Sequence, residues 1–132
     1  MGSDEPVRQI ARVIVGMHRA LADWPADVVV VVGDVNSTLA AAVAANKAGV
    51  RVAHVEAGLR SGDRSMPEEI NRIATDQIAD HLFVSEPSGV ENLRREGVAD
   101  ERVFLVGNCM IDTLRRFADR ARALDQAGRM GL

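Results

Sequence analysis

Five consecutive valines, Val28–Val32, constrain this chain more than any other feature. β-Branched side chains are stiff at χ1 and favour extended backbone over helix. A strand that is apolar at every position offers no face to water, so the run predicts a parallel strand covered on both faces by helices. The flanking sequence agrees. Ile10, Ile14, Met17 and Leu21 recur at helical spacing over residues 7–23, and Pro25 ends that helix. After the valines, Gly33-Asp34-Val35-Asn36 turns the chain, Ser37 or Thr38 caps an Ala-rich helix to about Lys47, and Gly49 closes it. Arg51–Val55 reads as a second strand. These elements form a β-α-β unit with a right-handed crossover, and Val28–Val32 is expected to be central in the sheet and adjacent to Arg51–Val55.

The alternation continues. Glu56 to Met66 is a polar loop with two glycines. A helix begins near Pro67 with Ile70, Ile73, Ala74 and Ile78 on one face. Leu82-Phe83-Val84 is a third strand, Pro87 opens a short helix ending at Gly97, and Val103–Val106 is a fourth strand. A last helix starts near Asn108, with Ile111, Leu114, Phe117, Ala121 and Leu124 expected on its buried face and a frayed tail after Gln126. Repeated strand–helix alternation gives the fold class: α/β, an open parallel sheet.

The chain has 132 residues, 47% hydrophobic, with a formal net charge of −3. That is one domain's length, and too apolar for disorder. No Lys/Arg run or basic stripe with interleaved aromatics suggests nucleic acid as a partner. The polar, acidic opening Met1–Glu5 is no signal peptide, and no apolar run has membrane-spanning length, so a cytoplasmic protein without a membrane partner is expected. Cys109 is the only cysteine. It excludes an internal disulfide and reads as a small buried residue. No His/Cys/carboxylate set has metal-ligand spacing, so no metal is expected.

In open parallel sheets, ligands bind beyond the carboxyl ends of the strands. Asp34 and Glu56 each follow such an end, and Glu68 and Glu69 open the next helix. Several carboxylates beside Arg60, Arg64 and Arg72 suit proton transfer on an anionic substrate. Each has a blander reading. Asp34 is also a good turn residue. Ser65-Met66-Pro67-Glu68 matches a capping box, and Glu69 in the first turn favours the helix dipole. His54 ends a strand and faces either site or core. His18 and His81 stand outside any cluster. Gly33–Thr38 before a helix N-terminus suits a phosphate or a sugar hydroxyl, although it is neither a P-loop nor G-x-G-x-x-G.

Four blocks occur in order: Gly33-Asp34-Val35-Asn36-Ser37-Thr38, His54-Val55-Glu56-Ala57-Gly58-Leu59-Arg60, Met66-Pro67-Glu68-Glu69-Ile70-Asn71-Arg72 and Gly107-Asn108-Cys109-Met110-Ile111-Asp112. Together they resemble the non-hydrolysing UDP-N-acetylglucosamine 2-epimerases of bacterial polysaccharide synthesis, over residues 7–118. The resemblance implies a Rossmann-like domain, half of one of the two domains of a glycosyltransferase-B-type fold. Residues 1–132 would be the latter part of the N-terminal domain, with the C-terminal UDP-binding domain outside them.

The implied reaction interconverts UDP-GlcNAc and UDP-ManNAc. A base removes the carbon-2 proton as UDP leaves carbon 1, a 2-acetamidoglucal stays bound, and UDP adds back after protonation on the other face. No cofactor is required. The resemblance implies Asp34, Glu56 and Glu68 as the acid/base set. It implies substrate-binding roles for His54, Arg60, Glu69, Asn71 and Arg72. The partner is a UDP-sugar, and a homodimer is one expectation. These residues alone are expected to be inactive, because a cleft with one wall absent does not position UDP. The alternative is a nucleotide-sugar-binding or structural α/β module without catalysis.

Overall fold

Every strand and helix expected from the pattern forms, and a computed structural model describes residues 5–131. The order is α1 (Pro6–Asp23), β1 (Val28–Val32), α2 (Asn36–Lys47), β2 (Arg51–Ala57), α3 (Pro67–Ile78), β3 (His81–Val84), α4 (Pro87–Arg95), a 3₁₀ turn (Asp100–Arg102), β4 (Val103–Leu105), α5 (Cys109–Leu124) and α6 (Gln126–Arg129). The acidic opening, residues 1–4, and Leu132 lie outside the described residues. The strands form one parallel sheet in the order β1-β2-β3-β4, with Val28 beside Arg51 and Val32 beside Val55. The class is therefore an open parallel α/β sheet. Among the described residues, no helix is long and apolar enough to cross a membrane.

Two expectations about β1 change. Among the described residues it lies at the edge of the sheet rather than in its centre. Its burial also alternates: Val29 and Val31 are buried, whereas Val28, Val30 and Val32 are 40%, 58% and 56% exposed. The cause is topological. Successive strands step across the sheet in one direction, and crossovers of one hand then lay α2, α3 and α4 on the same face. The core lies under that layer, where Ala42 and Ala45 of α2 meet Val29, Val31, Val52, Leu82 and Val84. Small alanines let α2 lie close to the strands.

Local details also differ. Neither Ser37 nor Thr38 caps α2. Its N-cap is Val35, and Thr38 Oγ1 donates instead to the Val32 carbonyl at the end of β1, at 2.8 Å. The buried residues of α3 are Glu69, Asn71, Thr75 and Asp76, while Ile70 is 38% exposed. The inward face is polar because each of these residues has a hydrogen-bond partner there, and paired polar groups can be buried. None of the residues marked as the inner face of α5 is buried, because no other described element packs extensively against that helix. The tail beyond Gln126 forms a further short helix, α6.

Cys109 is exposed rather than buried, at the start of α5. A thiol reagent should therefore label the native chain about as fast as the unfolded chain. Strong protection on folding would contradict this placement.

Candidate active site

The carboxyl ends of β1 and β2 are locked at one level, because the Gly33 N–H donates to the Val55 carbonyl at 3.0 Å. Asp34 follows β1 after Gly33. Glu56 is a bulge residue: the β2–β3 register shifts between Val55 and Ala57, and Glu56 has φ +68°. A bulge re-aims a side chain. Here it turns the carboxylate over the neighbouring turn, and a Cβ placed on Gly33 would stand 3.8 Å from Glu56 Oε2. Glu56 thus lies above the peptide that leads into Asp34.

The N-terminal half of α3 joins these turns. Arg72 Nη2 donates to Asp34 Oδ2 at 2.6 Å. Asn71 Nδ2 donates to the Asp34 carbonyl at 2.9 Å and to Asn36 Oδ1 at 3.0 Å. Arg72 Nε is buried with no acceptor among the described residues. An unpaired buried donor is costly to leave unmade, so a ligand oxygen accepting there would be stabilising.

Glu68, four residues before Arg72, is exposed and lines a cavity of about 760 Å³ together with Gln9, Arg12, Asn36, Ser37 and Asn71. Asp34 and Glu56 are not part of that lining. The capping box expected for Glu68 does not form. The N-cap of α3 is Met66, and the Ser65 hydroxyl and N–H both turn back to Asp63 Oδ1, at 2.7 and 2.9 Å. Those two bonds hold the Asp63 carboxyl below its usual range. Glu68 is thereby left free. Among the described residues, neither Glu56 nor Glu68 has a side-chain hydrogen bond or ion pair.

The other candidates sit in tight structural bonds. His54 is fully buried, with Nε2 donating to the Gly33 carbonyl at 2.8 Å and Nδ1 facing Asp76 Oδ1 at 2.6 Å. Arg60 pairs with Asp76 at 2.8 Å and grips both carboxylate oxygens of Glu96, at 2.8 and 2.7 Å. Burial opposes its charge, and Glu96 and Asp76 more than offset that, so the guanidinium is held above its ordinary value. Asp76 is absent from the motif blocks. The signal for it was spacing: Glu69 and Asp76 lie seven residues apart, as do two positions on one helix face. Among the described residues, no group of His, Cys, Asp and Glu is arranged to hold a metal ion.

Glu69 is buried and accepts from the Ser61 and Gly62 N–H groups, at 2.9 and 3.1 Å, and from the Ser61 hydroxyl. Burial opposes its charge, but these donors and the nearby Arg60 outweigh it, so its carboxyl is held below the ordinary 4.5. A carboxyl lowered in the folded state contributes stability above its unfolded value, and that contribution is lost as pH falls through the folded value. Glu69→Gln should therefore destabilise the chain at pH 7, with the gap to wild type narrowing below about pH 4. Denaturant midpoints across this range check it; a gap independent of pH would contradict the charge argument.

The family model described as UDP-N-acetylglucosamine 2-epimerase matches residues 1–130. A UDP-N-acetylglucosamine 2-epimerase of Methanocaldococcus jannaschii is 46% identical over 112 residues, which are 85% of this chain and 31% of that protein. The Escherichia coli enzyme of the same name is 42% identical over 117 residues, 87% of this chain and 31% of the relative. A UDP-2,3-diacetamido-2,3-dideoxy-D-glucuronate 2-epimerase of Pseudomonas aeruginosa is 50% identical over 95 residues, 70% of this chain and 27% of the relative. The chain thus spans about a third of the length of these relatives. The fold agrees with a crystal structure of the M. jannaschii enzyme in complex with UDP-GlcNAc and UDP, with a TM-score of 0.90 and 40% identity over 98% of this chain and 36% of that one. Matched by the family model along nearly its whole length and by fold at this identity, the chain belongs to the UDP-N-acetylglucosamine 2-epimerase family.

Proposed function

We propose that these residues form the acid/base wall of a UDP-sugar 2-epimerase. The observation that carries this reading is the pairing pattern at the carboxyl ends of the strands. Glu56 and Glu68 have no side-chain partner among the described residues, whereas the other two carboxylates of β2 and α3, Glu69 and Asp76, are both engaged. A carboxylate that gives or takes a proton needs free oxygens facing substrate. Asp34, held by Arg72, completes the set; Asn71 fixes the turn that carries Asp34, and Arg72 keeps one unpaired donor, its Nε–H, for the sugar nucleotide.

In this reading one carboxylate removes the carbon-2 proton while the carbon–oxygen bond to UDP breaks. The resulting 2-acetamidoglucal is protonated on its other face as UDP returns. Atoms balance without a redox step. The substrate class is supported by the relatives, since solved structures of the M. jannaschii and Neisseria meningitidis enzymes hold UDP-GlcNAc. A cytoplasmic place in surface-polysaccharide precursor synthesis fits the same family.

The test uses a full-length enzyme containing this segment, in deuterated water. Product formed by the wild type should carry deuterium at carbon 2. Glu68→Gln should fold normally and lose about 10²–10⁴-fold in turnover, as expected for one acid/base group. Because the capping box is absent, its stability should change by no more than about 0.5 kcal/mol. Wild-type turnover in this variant would remove Glu68 from the mechanism.

A further inference from the structure

Glu56 occupies a conformation its residue type disfavours. Its φ of +68° lies in the left-handed region, where a Cβ crowds the following carbonyl. Glycine, asparagine or aspartate usually takes such a position, and strain of this kind persists only where the surroundings over-determine it. Glu56 has no side-chain bond to hold it, so the constraint must come through the backbone on either side.

That constraint converges on one carboxylate. Asp76 is fully buried on α3. Its Oδ1 meets His54 Nδ1 at 2.6 Å, two residues before Glu56. Its Oδ2 accepts the Gly58 N–H at 3.0 Å, two residues after Glu56. His54 carries the grip onward, because its Nε2 donates to the Gly33 carbonyl at 2.8 Å. Gly33 in turn holds the Val55 carbonyl at 3.0 Å. Residues 54, 55 and 58 are thereby pinned, and the chain between them must bulge.

We infer that Asp76 is a positioning residue, whose buried carboxylate staples His54 to Gly58 and so holds Glu56 in the left-handed conformation that aims its carboxylate over Gly33. Asp76 reaches no substrate itself. Its link to turnover rests on the epimerase reading above; its link to the Glu56 backbone does not.

The test compares Asp76→Ala and Asp76→Asn in the 132-residue chain. Asparagine can accept the Gly58 N–H through its oxygen and donate to His54 Nδ1 through its amide, so the staple survives in the conservative variant. The readout is the backbone conformation of Glu56, from its amide–α-proton coupling and the intraresidue amide–α-proton Overhauser effect. Wild type and Asp76→Asn should both show the left-handed signature. Asp76→Ala, with sheet amides still protected, should lose it. A folded Asp76→Ala that keeps a left-handed Glu56 overturns the proposal.

If Asp76→Ala unfolds, the double variant Asp76→Ala/Glu56→Gly decides. Glycine takes the left-handed conformation without strain, so recovered folding supports the proposal, and a double variant that stays unfolded overturns it. In a full-length enzyme, Asp76→Ala should lose about a hundredfold in kcat with KM little changed, as misplacing a reacting group does. Unchanged kcat in the folded variant overturns the catalytic consequence. Inactivity of the wild-type enzyme would count against the epimerase reading and leave the backbone measurement intact.

Discussion

Glu56→Gln in a full-length enzyme containing this segment is expected to lower turnover by about 10²–10⁴-fold and leave the fold unchanged. The two halves of that expectation have separate causes. Glutamine keeps the shape and one accepting oxygen but takes up no proton at working pH. The fold should not respond, because the Glu56 carboxylate has no bond to lose among the described residues. The backbone strain is also the same for both side chains, since each has a Cβ. Deuterium entering carbon 2 of recovered substrate reports the proton step together with reversible loss of UDP, apart from completed epimerisation. Exchange at the wild-type rate in the variant would take Glu56 out of the mechanism, and loss of the fold would show that its carboxylate has a structural role.

Gly58→Ala is expected to be among the most damaging single-methyl additions to this chain. Gly58 has φ +77°, and a Cβ there would stand 2.5 Å from the Gly89 carbonyl oxygen and 3.0 Å from Gly89 Cα. Neither side can give. Gly89 is itself pressed against β3, where its own Cβ would meet Val84 Cγ1 at 2.6 Å. Asn92 of α4 further ties the two by donating to the Gly58 carbonyl at 3.0 Å. The left-handed conformation costs an alanine about 1–2 kcal/mol. Overpacking adds about 1–3 kcal/mol. Against a total stability of about 5–15 kcal/mol for an ordinary domain, that is enough to unfold a modest one. Gly16→Ala provides the contrast. Gly16 lies within α1 with nothing within 4 Å of an added Cβ, and alanine there should stabilise by about 0.5–1 kcal/mol. Denaturant midpoints of both variants check the pair; an unchanged midpoint for Gly58→Ala would refute the close approach.

The β-α-β succession was legible because it is written locally, in valine runs, glycine stops and prolines. So was the meeting of β1 with β2, since a crossover of one hand joins consecutive parallel strands. The place of β1 at an edge was not legible, because it depends on every later crossover stepping the same way. α3 misled for a different reason. Apolar spacing selected Ile70 and Ile73, whereas Asn71, Thr75 and Asp76 are buried through their hydrogen bonds, and periodicity of apolar residues does not register that kind of burial. The motif blocks marked Glu56 and Glu68 as candidates from residue type alone. They carried no sign of the bulge at Glu56, since no propensity places glutamate at a positive φ. Nor did they show that Ser65 would turn to Asp63 and leave Glu68 uncapped.

The strand order of the sheet repeats the strand order of the chain. Among the described residues no strand waits for a distant partner, and none has to be inserted between two already paired. Parallel sheets usually fold slowly because their pairings close large loops before any contact rewards them. Here each closure is a single crossover, and each new strand finds a finished edge. During synthesis the sheet can grow in the direction of translation, β2 onto β1, β3 onto β2 and β4 onto β3. The staple by Asp76 arrives with α3, one element after the strand that holds Glu56, so the strained Glu56 backbone is held as soon as the next helix docks.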